Sequence, residues 1–530
     1  MKKYLTILSM LSAAQFAAAD SVSINGGADS NSRTNVPNTV TADTDLIMDS
    51  TSGMFYRGSA FSSSQTVKTL TAINTSSGEQ VAGGVNIAGY GAQNNFIIDV
   101  NSAEAITGVS VASWKQNYLS ATIRNSNADY ASATVAVDFG SSFELSATNI
   151  QSQNFTIDNI KAVVTATNFK IGLSNNLESN KSVFTIGSKA DVIWRGTTNL
   201  GISAAASPYY ASFNIDGAFT LYNKGGNFTM GRGTTLNISE TGSFSSVNNS
   251  LEIQTGSTAN VAGNLKMEGG STLNLYGTLN ITNAAPTSQF NIYTLNTSGT
   301  FTQATAASNN GIRFWRTCTF SSGANWTIDE SIDIEGNKVS GVDPSVTTAK
   351  VYLNSGSKMI LNEVEGKVAR VKLWGLSNLY IKQNEAITDQ NGDAVRLVIA
   401  GGVNSGTYMP ELHLYETQTF TDIVFAANLK VYLENDLAML ILNAEDSNTI
   451  SGLGDTTTMS IYNFADNKVY VGENASTLNA VKYIQAYDAD SNLVDLGVSG
   501  GFLVAVPEPA EWAAIFGAAA LALAFCRRRK

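Results

Sequence analysis

Residues 233 to 282 read GTTLNISETGSFSSVNNSLEIQTGSTANVAGNLKMEGGSTLNLYGTLNIT, and one apolar-polar-apolar triplet recurs through them. Leu236-Asn237-Ile238, Leu251-Glu252-Ile253, Leu265-Lys266-Met267 and Leu279-Asn280-Ile281 follow at steps of 15, 14 and 14 residues, with Leu273-Asn274-Leu275 between the last two. Alternation of period two buries one face of a short strand, and glycine at the boundaries supplies the turns. A strand of this kind cannot bury its face alone, so it needs a stack of similar strands. Fragments of the same shape lie at 187–203 (GSKADVIWRGTTNLGIS), 323–336 (GANWTIDESIDIEG) and 356–366 (GSKMILNEVEG). The pattern predicts an all-β body.

This texture resembles the right-handed parallel β-helix, or β-solenoid, of bacterial passenger domains. The resemblance implies coils of about 20 residues or more, stacked at about 4.8 Å, and a rod on the order of 100 Å long. An array of β-sandwich domains is the alternative, because short alternating strands do not reveal the direction of their partners. The solenoid is assigned to residues 111–460. Residues 20–110, rich in Asn, Ser and Gly, read as an N-terminal cap or irregular β region. Residues 461–505 read as a C-terminal β cap of antiparallel strands, with a turn at Asp488 to Asn492. Autotransporters share the texture but end in an outer-membrane barrel, which this sequence does not carry.

Composition agrees with a long β structure. Hydrophobic residues make up 43% of the 530 and charged residues only 14%, so the solvent face is built mostly of hydroxyl and amide groups. The formal charge of -11 lacks the attraction to phosphate that nucleic-acid binding requires. One histidine and two cysteines exclude a His/Cys zinc cluster and a disulfide framework. No cofactor and no metal site is expected.

Both ends read as addresses. Residues 1–19, MKKYLTILSMLSAAQFAAA, place Lys2 and Lys3 before an apolar stretch, with small residues up to Ala17 and Ala19 suited to cleavage before Asp20. That order is the secretory signal. Residues 506–530 hold Pro507-Glu508-Pro509, an uncharged stretch from Trp512 to Cys526, and Arg527, Arg528, Arg529 and Lys530. As a helix the stretch is about 22 Å long, near the lower limit for a single transmembrane helix with the basic residues as its stop. The three parts in this order resemble the PEP-CTERM sorting tail. The resemblance implies an exosortase-like membrane protease as partner, a membrane-anchored precursor, and delivery of an exported protein to the cell surface or an exopolysaccharide matrix.

The interior offers few candidates for catalysis, and none is assigned. Asp333 and Glu335 alternate with Ile332 and Ile334, which places both acids on one face of a strand about 7 Å apart. With Asp329 and Glu330 nearby, such a pair suits acid/base chemistry or calcium, or simply a solvated face. His413 alternates with Leu412 and Leu414 and is expected to face solvent; no GxSxG elbow gives it a serine. Asp488, Asp490 and Asn492 imitate a calcium loop, but Leu493 and Ser499 stand where glycine and glutamate are needed, so the segment reads as a turn. Trp114, Trp194, Trp315 and Trp374 are the residues suited to stacking on a sugar or to core packing, and Cys318 reads as a small buried side chain. The expectation is an exported, non-enzymatic surface or matrix protein, with a secreted β-helix carbohydrate-active enzyme or a carbohydrate-binding protein as the alternatives.

Overall fold

In the computed structural model, parallel strands succeed one another along most of the chain, and antiparallel pairing occurs, among the described residues, only at an isolated bridge between Gly454 and Thr457 and between 469 and 505. The structure describes residues 118–139, 153–172, 181–200, 210–222, 227–282, 290–303, 311–336, 348–364, 368–400, 409–442, 450–506 and 509–528. It also describes the strands Ser21–Asn25, Asp45–Ser50, Thr69–Asn74, Gln93–Asp99, Ile106–Ser110 and Phe143–Leu145. The chain divides into two units, Met1–Asn249 with Gly256–Ala259, and Ser250–Thr255 with Asn260–Lys530. Both are parallel β-solenoids.

In the first unit one sheet starts at Ser21–Asn25 and adds Asp45–Ser50, Thr69–Asn74, Gln93–Asp99, Tyr118–Arg124 and Gln153–Asp158, all parallel. Residues 20–110, expected as a cap or irregular region, thus contribute strands to the regular ladder. Two long strands, Ile160–Ile171 and Ala190–Leu200, run side by side and bend midway. Their first halves pair with Thr134–Asp138 and Ala218–Tyr222, their second halves with Phe143–Leu145 and Asn227–Met230. Gly196 marks the bend, where a Cβ would lie 1.8 Å from the Ala166 carbonyl oxygen. Only glycine permits so close a backbone approach. Inward positions carry rings: Trp194 stands 4.8 Å from Phe169 and 5.8 Å from both Phe139 and Phe219, and all four are buried.

In the second unit each coil visits three sheets. The second sheet runs from Ser250–Ile253 through Thr272–Leu275, Thr294–Thr297, Thr317–Phe320, Ala349–Leu353, Ser377–Ile381, Glu411–Leu414, Leu429–Leu433 and Met459–Tyr462 to Ile484–Tyr487. Successive rungs stand 22 residues apart at Asn274 and Asn296 and 33 apart at Asn378 and Glu411. The step of 14 or 15 in the sequence is therefore not the coil: consecutive triplets fall on different sides of it, as Leu251 and Leu273 on this sheet and Leu279 on the first sheet show. The coil is longer because each side needs its own triplet.

The first sheet of this unit, beginning at Thr278–Ile281, ends at Ile387–Asp389. There the buried Gln418 acts as the missing next strand: its Oε1 accepts from the Ile387 N–H at 3.2 Å and its Nε2 donates to the Ile387 carbonyl at 2.9 Å. The third sheet includes Phe290–Ile292, Ile312–Phe314, Ser331–Glu335, Arg370–Trp374 and Val395–Ala400. At the C-terminal side Ile484–Tyr487 turns back on Leu493–Val494, and Leu496–Ser499 pairs antiparallel with Phe502–Ala505. A short helix, Ala475–Val481, precedes them.

The signal-peptide residues, including Ala17, Ala19 and Asp20, lie outside the described residues, as do Pro507, Glu508, Arg529 and Lys530. The expected C-terminal helix is present at Pro509–Arg528, with Pro509 as its first residue. Phe516, Leu521, Leu523 and Phe525 on it are exposed. As a transmembrane span it needs correction: among the described residues no helix is long and apolar enough to cross a membrane. Glu511 interrupts its first turn, and alanines dominate the uncharged part, which at about 22 Å falls short of a hydrocarbon core about 30 Å thick.

Candidate functional site

Because rungs are in register, outward side chains form files perpendicular to the strands. On the third sheet Asn291, Arg313, Asp333 and Lys372 occupy one file. Glu335 and Trp374 are rung partners on that sheet, and Trp315 follows Phe314, whose partner is Ile334. The structure brings Asp333 and Glu335 to one side, opposite the buried Ile332 and Ile334. The face is not freely solvated, however: Asp333 is only 7% exposed. Arg313 explains this, its guanidinium lying 3.3 Å from Glu335 Oε2 and 3.8 Å from Asp333 Oδ2. Asp329 and Glu330 lie elsewhere. Asp329 accepts from Asn362, and Glu330, at a corner with a φ of 72°, pairs with Arg370.

Burial, followed by the Asp333 charge and opposed by Arg313 and Lys372, leaves the Glu335 carboxyl above the usual range. Burial likewise holds the Lys372 ammonium below its ordinary value. Lys372 Nζ lies 3.8 Å over the Trp374 ring, and the Arg313 guanidinium 5.2 Å from the centre of Trp315. Trp315 donates its indole N–H to Asn291 Oδ1 at 3.1 Å. Asp333 Oδ1, Trp374 Nε1 and Arg370 Nε are buried without a hydrogen-bond partner.

The second sheet carries a file that sequence reasoning missed. Tyr352, Tyr380, His413, Tyr432, Tyr462 and Tyr487 stack face to face, with ring centres 4.4, 4.3, 4.5, 4.8 and 5.1 Å apart. His413 does lie opposite the buried Leu412 and Leu414, as expected, but it is sandwiched between rings and only partly exposed. Its Nδ1 lies 2.6 Å from Glu434 Oε1 and its Nε2 3.3 Å from Glu411 Oε2. Ionised carboxylates only accept, so both contacts are hydrogen bonds at once when the imidazole carries both protons. The His413 hydrogen bond, against some burial, pulls the Glu411 carboxyl below the ordinary range. A signal was present in the sequence: Val351-Tyr352, Leu379-Tyr380, Leu412-His413, Val431-Tyr432, Ile461-Tyr462 and Ala486-Tyr487 repeat one apolar-aromatic dipeptide.

The remaining candidates are structural or outside the described residues. Trp194 is core, and Trp114 lies outside the described residues. Cys318 is buried, which drives its thiol far above the usual range and makes it a poor nucleophile. Asp488 accepts from the backbone N–H groups of Asp490 and Asn492 and from the Asn492 amide, so its carboxylate is occupied in closing a turn. Among the described residues no group of three His, Cys, Asp or Glu side chains is placed to hold a metal ion. The chain matches no family model, no curated protein and no solved structure.

Proposed function

We propose that the chain is an exported, non-enzymatic structural or adhesive protein of a cell surface or extracellular matrix. The observation that carries this reading is a body of registered parallel rungs whose outward files are filled by Thr, Asn and stacked Tyr rather than by catalytic groups. On this reading the rungs coil right-handed, residues 1–19 direct export, and Pro507-Glu508-Pro509 with the following helix is a sorting tail for an exosortase-like protease. Mass spectrometry of the mature protein tests it, with an N-terminus at Asp20 and a C-terminus near Pro507 to Pro509 expected. Deleting residues 507–530 without changing the destination sinks it.

One observation favours a second reading, a β-helix carbohydrate-active enzyme. Glu335 has the raised carboxyl of a proton donor, and Asp333 lies on the same face. The Arg313 contacts to both acids weigh against it, since they neutralise the pair that would have to divide the two roles. New reducing ends from a polysaccharide panel, lost in Asp333→Asn and Glu335→Gln, would establish catalysis and remove the structural reading.

A further inference from the structure

We infer that the outer face of the third sheet in the second unit binds an extended, neutral polysaccharide chain along Trp315, Glu335 and Trp374. Three features point to this class of ligand. First, the face holds both kinds of unmet polar group: Asp333 Oδ1 is an acceptor, and Trp374 Nε1 and Arg370 Nε are donors. Hydroxyl groups, which both donate and accept, match such a mixture, whereas a purely anionic or cationic ligand matches half of it. Second, the charges of Arg313 and Lys372 balance those of Asp333 and Glu335, so the centre of the face offers no net attraction to a polyanion. Third, the two indoles lie on either side of the Glu335 rung, about 9.6 Å apart at two rung spacings, which suits alternate residues of an extended glycan. The rung beyond Trp374 carries only the methyl group of Ala400.

The tyrosine file is a poorer glycan platform despite having more rings. Each of its inner faces is covered by the next ring at 5.1 Å or less, leaving only edges to solvent, whereas the groups over the indoles are more loosely set or are long side chains: Tyr293 at 6.3 Å and the Arg313 guanidinium at 5.2 Å from Trp315, and Lys372 Nζ over Trp374. The inference rests on the body acting outside the cell for its setting, but binding by purified protein does not depend on sorting. Failure of the tail experiment therefore leaves it standing, and failure here leaves the sorting reading standing.

Affinity electrophoresis of the full chain tests it, in gels containing xyloglucan, galactomannan or laminarin, with polygalacturonate and alginate as anionic arms. Retardation by at least one neutral polymer is expected. Trp374→Ala should weaken it about tenfold and Asp333→Asn measurably, with unchanged circular dichroism. If Trp374→Ala misfolds, Trp374→Phe keeps the ring but lacks the N–H and should still bind more weakly. A Tyr462→Phe control should bind as the parent does. Retardation by no neutral polymer, by the anionic polymers alone, or equally in Asp333→Asn and whichever Trp374 variant folds, overturns the inference.

Discussion

Gln418 makes a quantitative demand on the fold. Its side-chain amide satisfies both the N–H and the C=O of Ile387 at the end of the first sheet, and both residues are fully buried. Met has similar length and no strong hydrogen-bonding atoms, so Gln418→Met orphans two backbone groups without leaving a large cavity. Each orphan costs about 1–3 kcal/mol, so about 2–6 for the two, and burying a thioether instead of an amide returns about 1–2, for a net loss of about 1–4 kcal/mol. Gln418→Glu should be worse. It removes the donor to Ile387 and brings a carboxylate next to Glu385, whose Oε2 now lies 3.4 Å from the amide nitrogen. Urea unfolding followed by circular dichroism, with hydrogen exchange on the peptide spanning 385–420, measures both. A Met variant within about 0.5 kcal/mol of the parent, with unchanged exchange at Ile387, would refute the capping role.

Other consequences follow from single residues. Glu411 has a depressed carboxyl in the folded state, so its contribution to stability is present above the ordinary glutamate range and is lost as pH falls through the folded value. The melting temperature should therefore drop more steeply below about pH 4.3 in the parent than in His413→Gln, and equal slopes would contradict the coupling. Trp194→Ala removes the ring that meets Phe139, Phe169 and Phe219 and should cost about 3–5 kcal/mol in urea unfolding. Gly196→Val forces a Cβ against the Ala166 carbonyl and should lower the melting temperature, whereas an unchanged value would mean that the bend relaxes freely.

Much of this was legible in the sequence for a simple reason: the side of a strand on which a residue lies depends only on local alternation. Asp333 and Glu335 were placed together, opposite Ile332 and Ile334, and the antiparallel turn at Asp488 was visible from its Asx chemistry. What could not be read was set by register between rungs. Arg313 and Lys372 become neighbours of Asp333 only through parallel pairing across intervening loops, and their presence turns an exposed acid into a buried one. The same holds for His413, whose partial shielding comes from Tyr380 and Tyr432 in other coils. Triplet spacing misled about the coil because neighbouring triplets belong to different sheets.

Register also accounts for the low charge content. In a parallel solenoid each outward side chain stands about 4.8 Å from the equivalent residue of the next rung, where two like charges repel by about 3.5 kcal/mol at an effective dielectric of 20. Files must then be neutral or alternate in sign, and those of the second unit do both. Asn274 accepts through Oδ1 from the Asn296 side-chain amide at 2.9 Å, a neutral pair, while Arg313, Asp333 and Lys372 alternate, and Glu411 stands beside Lys430. The apparent exception, Arg370 beside Arg396, resolves because each takes its own acid, Glu330 at 3.5 Å and Asp422 at 3.0 Å. Alternation thus explains why acids and bases gather on the third sheet without invoking a ligand. It does not explain why Asp333 Oδ1 and Trp374 Nε1 remain buried and unmatched there, since a file needs only charge balance. Unmatched buried atoms also occur elsewhere among the described residues, at Trp194, Gln303, Ser377 and Thr388, so their gathering beside Trp315 and Trp374, rather than their existence, marks this face.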